Sequence, residues 1–142
     1  MSFAALGGVN WLAVIVAALV YLAIGGLWFS NFAFGRQWRS AVGWPEGKAR
    51  DATPPETYVT PAVTCLLSTV ALAWLARATS TDNTIEGLVL GVVTSAGLVA
   101  AAVYVAGFYD LRKPRPRMWM AINGAYHVVG IIAASIIVAD WN

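Results

Sequence analysis

Asp110-Leu111-Arg112-Lys113-Pro114-Arg115-Pro116-Arg117 runs directly into MWMAINGAYHVVGIIAASIIVA (118–139). The first part sets four cations around two prolines, and the second holds no charged side chain. At about 1.5 Å of rise per residue, a charge-free helix of this length crosses a hydrocarbon core of about 30 Å. The stretch therefore reads as a basic turn leading into a membrane-crossing helix.

Three further segments repeat that pattern. Residues 1–35 contain no charged side chain, and neither do Tyr58–Ala76 and Gly87–Phe108. A chain of 142 residues that is 59% hydrophobic and only 11% charged has too much apolar surface to bury in a water-soluble core of its size. The sequence predicts an all-α, integral-membrane bundle of four transmembrane helices, one membrane domain over 1–142, with helices at about 10–34, 58–77, 85–109 and 118–139. The first segment is expected to be a retained helix, since no Lys or Arg precedes it and its apolar run is long for a signal peptide.

Asn10 is a good helix N-cap, and Val9-Asn10-Trp11 places an indole at the interface. Gly25-Gly26 inside this helix predicts that another helix crosses closely there. After the aromatic run Trp28 to Phe34, the first connection carries Arg36, Arg39, Lys48 and Arg50 with Trp38 and Trp44. It reads as a short headgroup-lying segment that Gly43 and Pro45 limit to about two helical turns, with Pro54-Pro55 extended behind it. Thr60-Pro61 is read as the cap and first turn of the second helix. Its hydroxyls at Thr60, Thr64 and Ser68 share one face and are expected to bond to preceding carbonyls or to a neighbour.

The third helix carries Gly87, Gly91 and Ser95 at four-residue spacing, a small-residue surface that admits a partner backbone. It is therefore expected to be the most central of the four. In the last helix, Asn123, His127, Gly130 and Ala134 form another stripe on one face. A polar stripe facing lipid without partners costs several kcal/mol, so this face is expected to pack against protein.

The Lys and Arg distribution sets an expected orientation. Four lie in the first connection and four in the third, whereas the second connection is flanked only by Arg77. The positive-inside rule then puts the basic loops 35–57 and 110–118 in the cytoplasm and both termini outside, in the cell (inner) membrane. Arg112, Lys113, Arg115, Arg117, Arg36 and Arg39 are the expected contacts for lipid headgroups. Nucleic acid is not needed to account for these cations.

An ionisable residue near the bilayer midplane is a candidate functional group, and His127 is the one residue among Asp, Glu, Lys, Arg and His in these segments. One reading makes Asn123 and His127, with Tyr104 or Tyr126, a polar site for a proton, ion or small solute. Another makes His127 a hydrogen-bonding residue that fixes helix register. Cys65 stands alone in an apolar segment and reads as a small buried hydrophobe, so no disulfide, no metal site and no cofactor is expected. Asp110 reads as a local ion-pair partner at the interface, too far along the bundle to complete a catalytic set with His127. No catalytic residue is assigned, and no enzyme activity is expected.

Val9-Asn10-Trp11-Leu12-Ala13-Val14, Gly25-Gly26-Leu27-Trp28-Phe29-Ser30, Phe34-Gly35, Trp38, Gly43, the basic turn and Asn123-Gly124-Ala125-Tyr126 together resemble domain-of-unknown-function family 1761. Trp28-Phe29 stands where a Trp-Tyr pair is expected in that family, so this chain lacks one hydroxyl there. The resemblance implies a small bacterial inner-membrane protein of four helices, and it implies no activity or site residue. The function expected is a non-enzymatic polytopic membrane protein, a homo-oligomer or one with a membrane-protein partner, that binds or passes a small solute, ion or proton near Asn123 and His127. The alternative is an accessory or scaffold subunit of a larger membrane complex, or a lipid-binding protein.

Overall fold

A computed structural model describes residues 7–44 and 56–141, and the described residues form helices and turns. The helices are α1 (Trp11–Trp28), α2 (Gly35–Val42), α3 (Glu56–Thr79), α4 (Thr84–Thr94), α5 (Ala101–Tyr109) and α6 (Pro116–Asp140), with a π-helical segment, Ser95–Ala100, joining α4 to α5. Four helices are long and apolar enough to cross a membrane: α1, α3, the continuous span Thr84–Tyr109, and α6. The chain is thus an all-helical, multi-pass membrane protein. The sequence readings on Pro45, Lys48, Arg50 and Pro54-Pro55 lie outside the described residues.

Local chemistry accounts for the helix ends. Asn10 caps α1, its side-chain oxygen accepting from the N–H groups of Leu12 and Ala13 at 3.1 and 3.2 Å. The first span stops at Trp28, short of residue 34. There Ser30 Oγ donates to the Leu27 carbonyl at 2.6 Å, and the Phe34 N–H reaches back to the Trp28 carbonyl at 2.9 Å. Gly35 closes this turn, since a Cβ there would stand 2.3 Å from the Phe29 carbonyl oxygen. α2 follows as two turns ended by Gly43 in the left-handed region at φ +74°. α3 already includes Glu56, so Pro61 lies inside the helix rather than opening it. The carbonyl that loses a donor to Pro61 sits near the end of the span, where interfacial water can serve it.

α6, and not the third span, is the centre of the bundle. It packs against α1, α2, α3, α4 and α5, whereas the third span meets its neighbours chiefly through α6. Only 11% of the third span's most apolar window is buried, against 39% for α6. The small residues at Gly87 and Gly91 do admit a backbone closely. A Cβ at Gly87 would lie 2.9 Å from Ile136 Cα, and one at Gly91 would lie 2.7 Å from Ile132 Cα. Spacing showed that a helix comes close, but not which of the two is surrounded.

α1 and α6 run antiparallel in a register marked along their length. Asn10 Nδ2 donates to the Trp141 carbonyl at 2.9 Å, and Trp28 Nε1 donates to the Ile122 carbonyl at 3.1 Å. Between them Tyr21 faces Gly130, and Gly25 faces Tyr126. α3 joins this pair, burying Cys65, Thr69, Leu72, Ala73 and Ala76. Thr84 Oγ1 ties the start of α4 to the Asp140 carboxylate at 2.9 and 3.0 Å. At the opposite end the two basic segments touch: the Arg115 N–H donates to the Ala41 carbonyl at 3.4 Å, and Pro114 lies against Gly43.

Candidate functional site

Tyr21 and Tyr126 each stand four residues before a glycine, and each ring fills the space left by the other helix's glycine. A Cβ at Gly130 would lie 2.1 Å from the Tyr21 ring, and a Cβ at Gly25 would lie 3.0 Å from Tyr126 Oη. The two rings meet with centroids 5.4 Å apart. This reciprocal exchange brings two phenols, an imidazole and a thiol together at mid-depth, because His127 and Cys65 adjoin the same rings.

Within the cluster, Tyr21 Oη lies 2.5 Å from His127 Nδ1, and Cys65 Sγ lies 3.6 Å from Tyr126 Oη. Phe29 packs edge-on against Tyr126 at 5.2 Å, sealing the cluster from the α2 end. Tyr21, Tyr126 and Cys65 are buried, whereas His127 is half-buried. Counting eleven residues from Pro116 at about 1.5 Å each puts His127 about 16 Å along α6, near its middle.

The proton positions follow from satisfaction. Tyr21 is sealed in the core, and its hydroxyl has no acceptor other than His127 Nδ1 among the described residues. A buried hydroxyl left without an acceptor costs about 1–3 kcal/mol, so Tyr21 donates and Nδ1 accepts. The imidazole proton is then on Nε2. That N–H has no hydrogen-bond partner among the described residues, and Nε2 is not one of the sealed polar atoms.

Asn123 is one turn away and faces the same side. Its Nδ2 donates to the Trp119 carbonyl of its own helix at 2.9 Å, which leaves Oδ1 without a donor among the described residues. Asn123 and His127 are therefore not bonded to each other. Tyr104 does not join them at all: it is exposed on α5, where its ring stacks on Phe108 at 6.2 Å and lines a shallow groove with Val105, Phe108 and Tyr109. Gly130 and Ala134 continue the α6 stripe and are buried against the bundle, as are Gly87, Gly91 and Ser95 on the third span.

Tyr21 and Cys65 are the members that sequence reasoning missed. The available signal was the matching spacing of Tyr21 to Gly25 and Tyr126 to Gly130. Of the hydroxyl stripe on α3, Thr64 bonds to the carbonyls of Thr60 and Pro61, both at 3.0 Å, and so supports its own helix. Among the described residues no three His, Cys, Asp or Glu side chains converge on a common point.

The cations expected at headgroups lie at one end of the bundle. Arg36, Arg112, Arg115 and Arg117 are exposed there, while Arg39 donates to Asn31. Lys113 pairs with Asp110 and sits 4.4 Å over the Trp119 ring. That ion pair and the Arg112 N–H bonded to Asp110 Oδ1 at 3.1 Å hold the Asp110 carboxyl below the usual carboxylate range.

The family described as protein of unknown function, DUF1761, matches residues 12–139, and the chain belongs to it. No curated protein and no solved structure matches the chain at a significant level.

Proposed function

We propose that this member of the DUF1761 family is a non-enzymatic binding protein of the bilayer that takes an uncharged ligand at His127. The observation that carries the reading is the Nε2–H of His127. Tyr21 holds the ring by Nδ1 and leaves the remaining donor without an acceptor among the described residues, and hydrocarbon offers none. An unpaired donor at mid-depth is costly, and a bound acceptor relieves that cost.

Access in this account is lateral. α3 and the third span each pack on α6 rather than on one another, and nothing stands within 4 Å of a Cβ at Gly124, so the α6 side at Gly124 and His127 is left open between them. In the proposed arrangement the protein sits in the cell (inner) membrane with both termini outside and loops 35–57 and 110–118 cytoplasmic, where their arginines meet anionic headgroups.

Native mass spectrometry of the full chain released from nanodiscs made with a total membrane-lipid extract tests the reading. A small molecule retained by the wild-type chain and lost from a folded His127→Leu variant is expected. Equal retention by both, or none by either, overturns it.

The exposed face of the third span supports a second reading, an accessory or scaffold subunit, or a protomer of a homo-oligomer, that covers this face with another membrane protein. A stable second chain in the same spectra, unaffected by His127→Leu, is its expected sign.

A further inference from the structure

Three properties of the α6 face at His127 restrict what it can bind. The first is depth: His127 and Asn123 lie in the middle part of the span, where an ionised headgroup pays a large desolvation cost. The occupant is an uncharged molecule dissolved in the bilayer. The second is polarity: the face offers His127 Nε2–H as a donor and Asn123 Oδ1 as an acceptor, and one of the two Asn123 amide protons is directed to the Trp119 carbonyl while the other is left to donate. A matching head carries an oxygen that accepts and a hydroxyl that donates. The third is shape. Gly124 lies between the two residues in sequence, and nothing stands within 4 Å of the place a Cβ would occupy there.

From these we infer, on the premise that His127 binds a ligand from the bilayer, that the ligand is a quinol, an aromatic ring bearing two hydroxyl groups on a hydrocarbon tail. Positions i and i+4 on a helix face are about 5–6 Å apart at Cβ, which is comparable with the span between the two para oxygens of such a ring. One oxygen accepts from His127 Nε2–H, and the other hydroxyl donates to Asn123 Oδ1. The bare backbone at Gly124 lets the flat ring lie against α6, and the tail leaves between α3 and the third span.

The test uses the full chain in phosphatidylcholine nanodiscs under anaerobic, reducing conditions, with a singly prenylated benzoquinol as probe. Binding is read from the ¹⁵N signal of His127 Nε2 and from native mass spectra. The wild-type chain should bind the quinol, and Asn123→Leu and His127→Phe should each weaken binding by about tenfold or more. Gly124→Leu, whose new side chain begins in open space, keeps the fold and should displace the ring. Unchanged quinol affinity in Asn123→Leu and Gly124→Leu overturns the assignment. If a total lipid extract shifts the His127 signal and the quinol does not, the ligand class fails and the His127 reading survives. If neither shifts it, both fail.

Discussion

The ring of Tyr21 occupies the place of a side chain at Gly130, so that a Cβ there would stand only 2.1 Å from the ring's Cδ2 and Cε2 atoms. Because Tyr21 is almost wholly buried, the ring has nowhere to move. Gly130→Ala should therefore destabilise the bundle by about 1–3 kcal/mol through overpacking. Gly26→Ala is the control: it meets nothing within 4 Å and should be neutral or stabilising by about 0.5–1 kcal/mol. Reversible unfolding of the two variants in bicelles compares them, and equal effects would refute the assigned contact.

The same logic applies where the third span meets α6. Gly91→Leu places its Cβ 2.7 Å from Ile132 Cα, a backbone atom that cannot rotate away. Separation of α4 from α6 is expected, read as loss of a spin-label distance between the two helices. Gly97→Leu, with open space around its Cβ, should leave that distance unchanged.

Trp28 Nε1 donates to the Ile122 carbonyl across the α1/α6 seam at 3.1 Å. Trp28→Phe keeps an aromatic ring beside Phe34 and removes the donor, and should cost about 1 kcal/mol. Unfolding in bicelles measures it, and an unchanged midpoint would refute the bond.

How much of this was legible beforehand depended on distance along the chain. The Asn10 cap and the two-turn length of α2 are local matters, decided by residues within a few positions, and the residues announce them. The link between Tyr21 and His127 spans 106 positions, and a tyrosine in an apolar run reads as one more hydrophobe. The choice of Tyr104 failed for a related reason. A phenol shows that a hydroxyl is present but not which way the helix turns, and here the π-helical segment and the α6 contact leave Tyr104 facing outward. Asn123 stands one turn from His127, yet its amide is held by its own helix.

At the basic end, Asp110 supplies a pH prediction. Its folded value is depressed, so the pairing with Lys113 is intact above the ordinary aspartate value of about 3.9 and is lost as the pH falls through the lower folded value. A ¹³C titration of the Asp110 carboxyl should show a midpoint below 3.9, and Lys113→Ala should move it back up. A midpoint at or above the ordinary value would contradict the geometry.

The proposed orientation is checked by labelling in a Cys65→Ala background. Ser80→Cys should react with a membrane-impermeant maleimide in intact cells, and Leu111→Cys only after permeabilisation. The reverse pattern would invert the topology.

The central claim is that Tyr21 fixes the proton of His127 on Nε2. Solid-state ¹⁵N NMR of histidine-labelled protein in lipid bilayers measures this directly, His127 being the single histidine. The account predicts an unprotonated Nδ1 and a protonated Nε2 in the wild-type chain, and a mixture of the two tautomers in Tyr21→Phe. A proton on Nδ1 in the wild-type chain would contradict it.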